Sequence, residues 1–161
     1  MSLNPVKVQH FSLQSRVKRP SEPTASRKPA SILLVEDNPG DAGLVREALE
    51  EHGVEGELTV VIDGEAAIEL IQDIDSQRLT CPDLIIVDLN LPKKSGRDVL
   101  ECIGRSLICR QAQVVILTSS DAYDDQQNAM RLGVSRYLRK PSRLGDFISL
   151  GAVFKAIIEN S

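Results

Sequence analysis

The sequence predicts an α/β protein in which five parallel β-strands form one sheet with helices on both faces. From residue 31 onward, short aliphatic runs alternate with amphipathic segments five times. Three of the runs are unbroken apolar stretches, which is typical of strands covered on both faces. Strict β–α alternation gives a parallel sheet joined by right-handed crossovers. With 161 residues, 42% of them hydrophobic, the chain is long enough for one domain with a core.

The first two β–α units are predicted between residues 32 and 74. Residues 32–35 form an apolar run, and Asn38 with Pro39 supplies a cap and a first-turn residue for the following helix. Residues 58–62 indicate a second strand. A second amphipathic helix then follows, with its apolar residues at three- and four-residue steps.

Three further units complete the pattern. The polar stretch 73–82 is predicted as a loop before the third strand. The remaining strands are predicted at 84–87, 114–117 and 137–138, with helices after each, the last running towards residue 159.

Residues 1–30 differ in composition from the rest. They contain six basic residues, one acidic residue and four prolines, and show no strand or helix periodicity. This composition predicts a basic, disordered N-terminal tail, with the folded domain spanning residues 31–161. The basic residues of the tail do not follow the spacing of a motif that recognises nucleic-acid bases. A basic segment can nevertheless contact nucleic acid or an acidic partner.

Composition excludes several classes of protein. No apolar stretch approaches the length of a membrane helix, and the N-terminus lacks the apolar core of a secretory signal. Three cysteines, an odd number without a Cys-x-x-Cys pair, argue against a disulfide scaffold or structural zinc and favour a reducing cytoplasm. An aromatic content of 3% argues against a stacking platform for single-stranded nucleic acid.

Charged and polar residues directly follow the predicted strands. They are Glu36 and Asp37 after the first strand, Asp88 after the third, Thr118 after the fourth and Lys140 after the fifth. In parallel sheets, ligands bind beyond the carboxyl ends of the strands. Clustered carboxylates repel one another unless a cation is present, and hard oxygen ligands suit Mg²⁺. A carboxylate beside Mg²⁺ can attack a phosphoryl group, with the lysine and hydroxyl stabilising the developing charge.

Each of these residues also has an ordinary structural explanation. Glu36 and Asp37 could form a strand-end turn, and Asp88 could initiate another. Thr118 could cap a helix, and Lys140 could be a solvated strand end. The five positions together, at successive strand ends, indicate a functional site.

Four stretches resemble the receiver domain of bacterial two-component response regulators, the family of the chemotaxis response regulator. They are Ile-Leu-Leu-Val-Glu-Asp-Asn at 32–38, Asp-Leu-Ile-Ile-Val-Asp-Leu-Asn-Leu-Pro at 83–92, Val-Val-Ile-Leu-Thr-Ser-Ser at 114–120 and Tyr-Leu-Arg-Lys-Pro at 137–141. The steps from Asp88 to Thr118 and to Lys140 are also similar to those of the family. The resemblance implies the (βα)5, flavodoxin-like doubly wound receiver fold.

The resemblance also implies roles for the site residues. Asp88 would be the phosphoacceptor, taking a phosphoryl group from the phosphohistidine of a sensor histidine kinase. Asp37 would bind Mg²⁺ directly, with Glu36 assisting, through water, and the main-chain carbonyl of Asn90 as a further ligand. Mn²⁺ or Ca²⁺ could substitute for Mg²⁺. Lys140 would pair with the phosphoryl oxygens.

Three further expectations come from the resemblance. Thr118 would bond the new phosphate, and its movement would let the Tyr137 ring turn inward. The Lys140–Pro141 peptide bond resembles one that is often cis in the family. The protein would be a phosphoacceptor rather than an enzyme, with at most self-phosphotransfer and autodephosphorylation. One departure is Glu36, which stands where the family usually has Asp.

Partners follow from the same resemblance and from the last helix. The motifs resemble single-domain regulators paired with phytochrome-type or other sensory histidine kinases. No second domain is expected after Glu159, so output is expected through protein contact rather than DNA binding, with the downstream target open. A second apolar stripe on the last helix, formed by Leu150, Val153 and Ile157, predicts a homodimer through the fourth and fifth helices or the fifth strand.

Three alternatives compete with this interpretation. A haloacid-dehalogenase-type phosphatase would need Asp-x-Asp after its first strand, and a flavodoxin-like carrier would meet an acidic loop at 36–40 that repels the flavin phosphate. A pseudo-receiver would act as an interaction module without phosphorylation. The presence of Asp37, Asp88, Thr118 and Lys140 counts against the pseudo-receiver.

Overall fold

The computed structural model describes residues 7–17 and 28–160, which contain six strands and five helices. The strands are β1 (Val8–Leu13), β2 (Ala30–Val35), β3 (Gly56–Val61), β4 (Leu84–Val87), β5 (Gln113–Thr118) and β6 (Arg136–Arg139). The helices are α1 (Pro39–Glu51), α2 (Gly64–Gln77), α3 (Gly96–Arg105), α4 (Tyr123–Arg131) and α5 (Leu144–Glu159).

The sheet has the strand order β1-β3-β2-β4-β5-β6, and β2 to β6 run parallel. This confirms the doubly wound α/β fold. From β2 the chain first adds β3 on one side and then crosses to β4 on the other, so the switch point lies between β2 and β4. Open α/β sheets bind ligands in the crevice that forms there.

Strand β1 adds a sixth, antiparallel strand at the edge of the sheet. Val8 lies opposite Val61 and Leu13 opposite Gly56, and the side chains of Val8 and Leu13 are buried. The prediction that all of residues 1–30 are disordered is therefore wrong for this segment. The strand is stabilised by pairing with the otherwise open backbone of β3, a long-range contact that composition does not reveal. The rest of the predicted tail, at 1–6 and 18–27, lies outside the described residues.

Helices cover the two faces of the sheet as two separate layers. The buried residues of α1 and α5 pack on one face, and those of α2, α3 and α4 pack on the other. All four side chains of β4 are buried, which agrees with its unbroken apolar run. Helices α1 and α5 approach closely at Gly151, where a Cβ atom would meet the carbonyl oxygen of Ala48.

Local sequence explains where α1, α2 and α3 begin. The Asn38 side chain accepts from the Asp41 N–H at the start of α1, and Asp63 accepts from the Ala66 N–H at the start of α2. Ser95 and Asp98 form a capping box at the start of α3. These side chains satisfy backbone donors that have no partner within the helix.

The end of α2 corrects one expectation. The helix continues to Gln77, so residues 75–77, which were predicted as loop, are helical. Ile74, at the end of the predicted helix, is buried, and Arg78 ends the helix in the left-handed conformation. Asp75 accepts hydrogen bonds from Ser106 and Ile108, long-range contacts that hold the added turn and that a local pattern does not show.

The cysteines give a second correction. Cys81 and Cys109 form a disulfide with a Cα–Cα distance of 5.4 Å, and Cys102 is free. The argument from the odd cysteine count against a disulfide scaffold therefore missed this one bond. The two cysteines precede β4 and β5, and adjacent pairing of these strands brings together residues 28 positions apart. Within residues 7–17 and 28–160, no helix is long and apolar enough to cross a membrane.

Candidate functional site

Three carboxylates meet at the carboxyl ends of β2 and β4, at the switch point of the sheet. The ligand atoms of Glu36, Asp37 and Asp88 all lie within 4.8 Å of one another. Glu36 is 2% exposed and Asp88 is 5% exposed, whereas Asp37 faces solvent. Each residue directly follows or nearly follows a buried aliphatic strand, so the alignment of parallel strand ends places them together.

Lys140 lies at the centre of this cluster. Its Nζ donates to Glu36 Oε2 at 2.7 Å, to Asp41 Oδ2 at 2.8 Å and to Asp88 Oδ2 at 2.8 Å. An ammonium group has three donors, so each one is used. The Lys140 main-chain N–H donates to the Thr118 carbonyl at 2.8 Å, which fixes the lysine beside the end of β5.

Asp41 is the member of this cluster that the sequence analysis missed. It lies in the first turn of α1 rather than at a strand end. Its only sequence signal was an acidic residue in a helix first turn, which favours the helix dipole and is common. Contact with Lys140 joins residues 99 positions apart.

The Lys140–Pro141 peptide bond is trans, so the prediction of a cis bond is wrong. A trans X–Pro bond is the more stable form in the absence of a constraint. Three carboxylate partners already determine the direction of the Lys140 side chain. The cis form is therefore not needed to orient it.

Burial and hydrogen bonding shift two pKa values in the cluster. Burial lowers the pKa of Lys140, but the hydrogen bonds to Asp41, Asp88 and Glu36 outweigh burial and hold it above its ordinary value. Burial raises the pKa of Glu36 to about 7, although hydrogen bonds from Lys140 and from the Asn38 N–H oppose the shift. One ammonium therefore does not offset the cost of placing this carboxylate in a buried acidic cluster.

The donor set fits a hard divalent cation. Three carboxylates from Glu36, Asp37 and Asp88 supply oxygen ligands close enough to share one ion. Mg²⁺ prefers one or two carboxylates with several waters, and the exposed position of Asp37 leaves room for water. A cation would also neutralise the mutual repulsion of the carboxylates.

The backbone around Asp88 holds its carboxylate in place. The Asn90 N–H donates to Asp88 Oδ1 at 3.1 Å, which leaves Oδ2 for Lys140. Gly96 at the start of α3 packs so closely that a Cβ atom there would collide with the Asp88 carbonyl oxygen and Leu89 Cα. Asn90 is exposed beside Asp88, where its main-chain carbonyl was predicted as a metal ligand.

Thr118 and Tyr137 lie on the neighbouring strands β5 and β6. Thr118 is fully buried, and its Oγ1 accepts from the Ser120 N–H at 3.3 Å. The half-buried Tyr137 donates its hydroxyl to the Ser120 carbonyl at 2.9 Å. Ser120, which the sequence analysis did not single out, thus connects the two predicted switch residues. Its Oγ also donates to Asp125 at 2.6 Å, which links the loop to α4.

Comparison with known proteins identifies the family. Residues 32–150 match the family model described as the response regulator receiver domain. The chain is 39% identical over 126 residues to the response regulator Rcp1 of Synechocystis, covering 78% of this chain and 86% of that protein.

Solved structures agree with this match. The Mn²⁺-bound form of Rcp1 superposes with a TM-score of 0.72 and 37% identity, covering 80% of this chain and 93% of that one. The phosphorylated cyanobacterial phytochrome response regulator RcpA gives a TM-score of 0.76 and 32% identity, covering 83% of this chain and 97% of that one. The bacteriophytochrome response regulator AtBRR gives 0.62 and 35%, covering 81% and 91%. With a family model matched over most of its length and relatives above 30% identity, the chain belongs to the response regulator receiver domain family.

Proposed function

We propose that this protein is a response regulator that accepts a phosphoryl group on Asp88 from a sensor histidine kinase, in a reaction that depends on Mg²⁺. The observation that carries the proposal is the position of Asp88. Its carboxylate lies within 4.8 Å of the Glu36 and Asp37 carboxylates and 2.8 Å from the Lys140 ammonium.

The chemistry follows from these contacts. An oxygen of Asp88 attacks the phosphorus, a new O–P bond forms, and the P–N bond of the donor phosphohistidine breaks. The departing imidazole nitrogen keeps the bonding electron pair and takes up a proton from solvent. Lys140 stabilises the charge on the transferred oxygens, and the Asn90 N–H holds the attacking carboxylate in position.

A divalent cation at this site would neutralise charge on the phosphoryl group during transfer. Glu36, Asp37, Asp88 and the Asn90 carbonyl would hold it. The hard oxygen donors support Mg²⁺, with Mn²⁺ or Ca²⁺ able to replace it. Rcp1, a relative, has been solved in a Mn²⁺-bound form.

Signalling then proceeds through the switch residues. Phosphorylation of Asp88 adds roughly one negative charge and strong acceptor oxygens. Thr118 moves to bond the phosphoryl group, its partner Ser120 moves with it, and Tyr137 loses its carbonyl acceptor and turns inward. The surface of α4, β6 and α5 changes shape and is read by a protein partner.

The test is phosphorylation by acetyl phosphate with Mg²⁺, followed by intact mass. Wild type should gain one phosphoryl group, and Asp88→Asn should gain none. Asp83→Asn is the matched control, because Asp83 precedes β4 at the opposite end of the same strand and should not affect labelling. Absence of labelling in folded wild type with Mg²⁺ would support the alternative of a pseudo-receiver that acts only as an interaction and dimerisation module.

We further propose a phytochrome-type kinase as partner and a location in the cytoplasm, where such a kinase would meet it. Similarity to RcpA and AtBRR, which are named as phytochrome response regulators, supports this pairing. In a reducing cytoplasm the Cys81–Cys109 bond would be open, so the stability that this bond gives applies to the oxidised protein. Phosphotransfer from a purified phytochrome-type kinase, faster than from an unrelated kinase, is the expected result.

A homodimer through α4, α5 and β6 is part of the same proposal. The predicted stripe on α5 is half-buried, and Leu150 and Ile157 pack against the core. Exposed apolar residues nearby give better support: Tyr123 (72%), Met130 (52%) and Leu144 (62%). Sedimentation should show dimers, strengthened by a phosphoryl mimic. A monomer at high concentration with and without the mimic would contradict the dimer.

A further inference from the structure

The feature that the proposed reaction leaves unexplained is the ion pair between Asp41 and Lys140. The oxygen–nitrogen distance is 2.8 Å, equal to that between Lys140 and Asp88. Asp41 comes from a helix, not from a strand end, and is not among the three carboxylates that share the cation site. Asp41 accepts a hydrogen bond from one of the three N–H groups of Lys140, the lysine that must stabilise the transferred phosphoryl group.

Once a phosphoryl group is attached to Asp88, Lys140 has to redirect a donor towards it. Of its three partners, Glu36 and Asp88 are 2% and 6% exposed at their side chains, whereas Asp41 is 27% exposed. Asp41 can therefore be solvated when it is released, and the other two cannot without a cation. Asp41 is the partner whose replacement costs least.

The negative charge of the cluster also favours release of Asp41 from Lys140 on phosphorylation. Glu36, Asp41 and Asp88 contact one ammonium, and the Asp37 carboxylate lies beside those of Glu36 and Asp88, so the cluster is strongly acidic before a phosphoryl group arrives. Phosphorylation adds about one further negative charge. A carboxylate that both adds charge and holds the lysine opposes the phosphorylated state in two ways.

We propose that Asp41 is a positioning residue that holds Lys140 in the unphosphorylated protein and competes with the phosphoryl oxygens for its ammonium. The inference rests on the proposed function, because it assumes that Asp88 receives the phosphoryl group. Its consequence is that the acid in the first turn of α1 sets how readily the protein enters the phosphorylated state and how long it remains there.

The test is titration with beryllofluoride, a phosphoryl mimic, at fixed Mg²⁺, followed by NMR of the main-chain amides. Asp41→Asn should bind the mimic about fivefold more tightly than wild type, which corresponds to loss of one competing ion pair. Asp41→Glu keeps a carboxylate within reach of Lys140 and should remain within about twofold of wild type. The lifetime of phosphorylated Asp88, measured by intact mass, should lengthen in Asp41→Asn.

Two controls separate competition for Lys140 from a general charge effect. Asp121→Asn removes an acid at the same edge of the sheet that pairs with Arg139 instead, and it should leave binding unchanged. In a Lys140→Met background, Asp41→Asn should have no further effect, because the shared partner is gone. Thermal unfolding of each variant checks that it folds.

The outcomes distinguish this inference from the proposed function. Wild type that neither binds beryllofluoride nor accepts a phosphoryl group would overturn the proposed function and the inference with it. Wild type that binds, with Asp41→Asn binding equally well or more weakly, would overturn the inference alone. So would an equal gain in Asp121→Asn, since the effect would then be general repulsion.

Discussion

The two ends of the parallel strands treat acidic side chains in opposite ways. At the carboxyl ends, Glu36 and Asp88 share the ammonium of Lys140 with Asp41. At the amino ends, Asp75 alone accepts three hydrogen bonds, from Ser106 Oγ at 2.7 Å, the Ile108 N–H at 3.1 Å and the Leu107 N–H at 3.3 Å. At the carboxyl ends three carboxylates share one ammonium, whereas at the amino ends three hydrogen-bond donors contact one carboxylate.

The pKa values follow this difference. The hydrogen bond from Ser106, together with those from the Ile108 and Leu107 N–H groups, lowers the pKa of Asp75. Burial raises the pKa of Glu36 to about 7. Asp75 is well supplied with hydrogen-bond donors, whereas Glu36 lies buried among other carboxylates. Hydrogen bonding at the amino ends therefore favours the charged carboxylate, whereas burial at the carboxyl ends disfavours it until a proton or a cation neutralises the charge.

The largest expected effect is at the amino ends, where the Cys81–Cys109 disulfide lies. Loss of this bond, by reduction or by Cys81→Ser with Cys109→Ser, should lower the free energy of unfolding by about 3.5 kcal/mol, as a loop of this length predicts. Urea unfolding measures the change, and Cys102→Ser is the matched control because Cys102 is free. Phosphoryl labelling of folded protein should remain. Unchanged stability after reduction would show that the Cys81–Cys109 bond does not stabilise this end of the sheet.

Helix α3 runs between the two ends of the strands and has a glycine in its first turn, Gly96, and another in its last turn, Gly104. Gly96→Ala should destabilise by about 2 to 3 kcal/mol and slow labelling of Asp88, because the new Cβ collides with the Asp88 and Leu89 backbone. Gly104→Ala has open space and should stabilise by about 0.5 to 1 kcal/mol without affecting labelling. Unfolding and intact mass measure the two effects. Equal behaviour of the two variants would show that α3 does not constrain the phosphoacceptor loop.

The pH dependence of Glu36 is next in size. Because its pKa is raised from 4.5 to about 7 in the folded state, its contribution to stability is fully present below pH 4.5 and is lost as the pH rises through 7. Protein in EDTA should therefore lose on the order of 2 kcal/mol between pH 5 and pH 8. Glu36→Gln should remove this loss, and Mg²⁺ should diminish it in wild type. Identical pH profiles for the two proteins would contradict the raised pKa.

Asp75 should give the smallest effect, with the opposite sign. Because its folded pKa lies below the ordinary value of 3.8, its contribution is present above that pH and is lost as the pH falls through the folded value. Asp75→Asn should lower the unfolding temperature modestly at pH 7 and make no difference at the most acidic pH at which the protein stays folded. Thermal scans at the two pH values measure this. An equal deficit at both would mean that the carboxylate charge is irrelevant.

Much of the fold was readable from local patterns. The unbroken run at β4 predicted a strand buried on both faces, and Asn38 with Pro39 predicted the start of α1. These features depend on neighbours in the chain, so a short window contains the information. Strand β1 was missed because only Val8 and Leu13 are buried, too few to give a periodicity.

The site was predictable to the same extent. Glu36, Asp37, Asp88 and Lys140 follow strands, and parallel alignment brings such residues together without further information. Asp41 was missed because it lies on a helix, and Ser120 because it contacts Thr118 and Tyr137 through its main-chain N–H and carbonyl, which any residue has.

The amino-acid sequence alone specifies the alternation of strands and helices, the buried strands and the residues at their carboxyl ends, because each depends on the spacing of neighbouring side chains. The folded structure was needed to establish the antiparallel edge strand, the Cys81–Cys109 bond, the trans bond before Pro141 and the Asp41 contact with Lys140. These four depend on groups far apart in the chain or on a small energy difference settled by surrounding contacts. Their free energy comes from proximity created by folding, which no local pattern records.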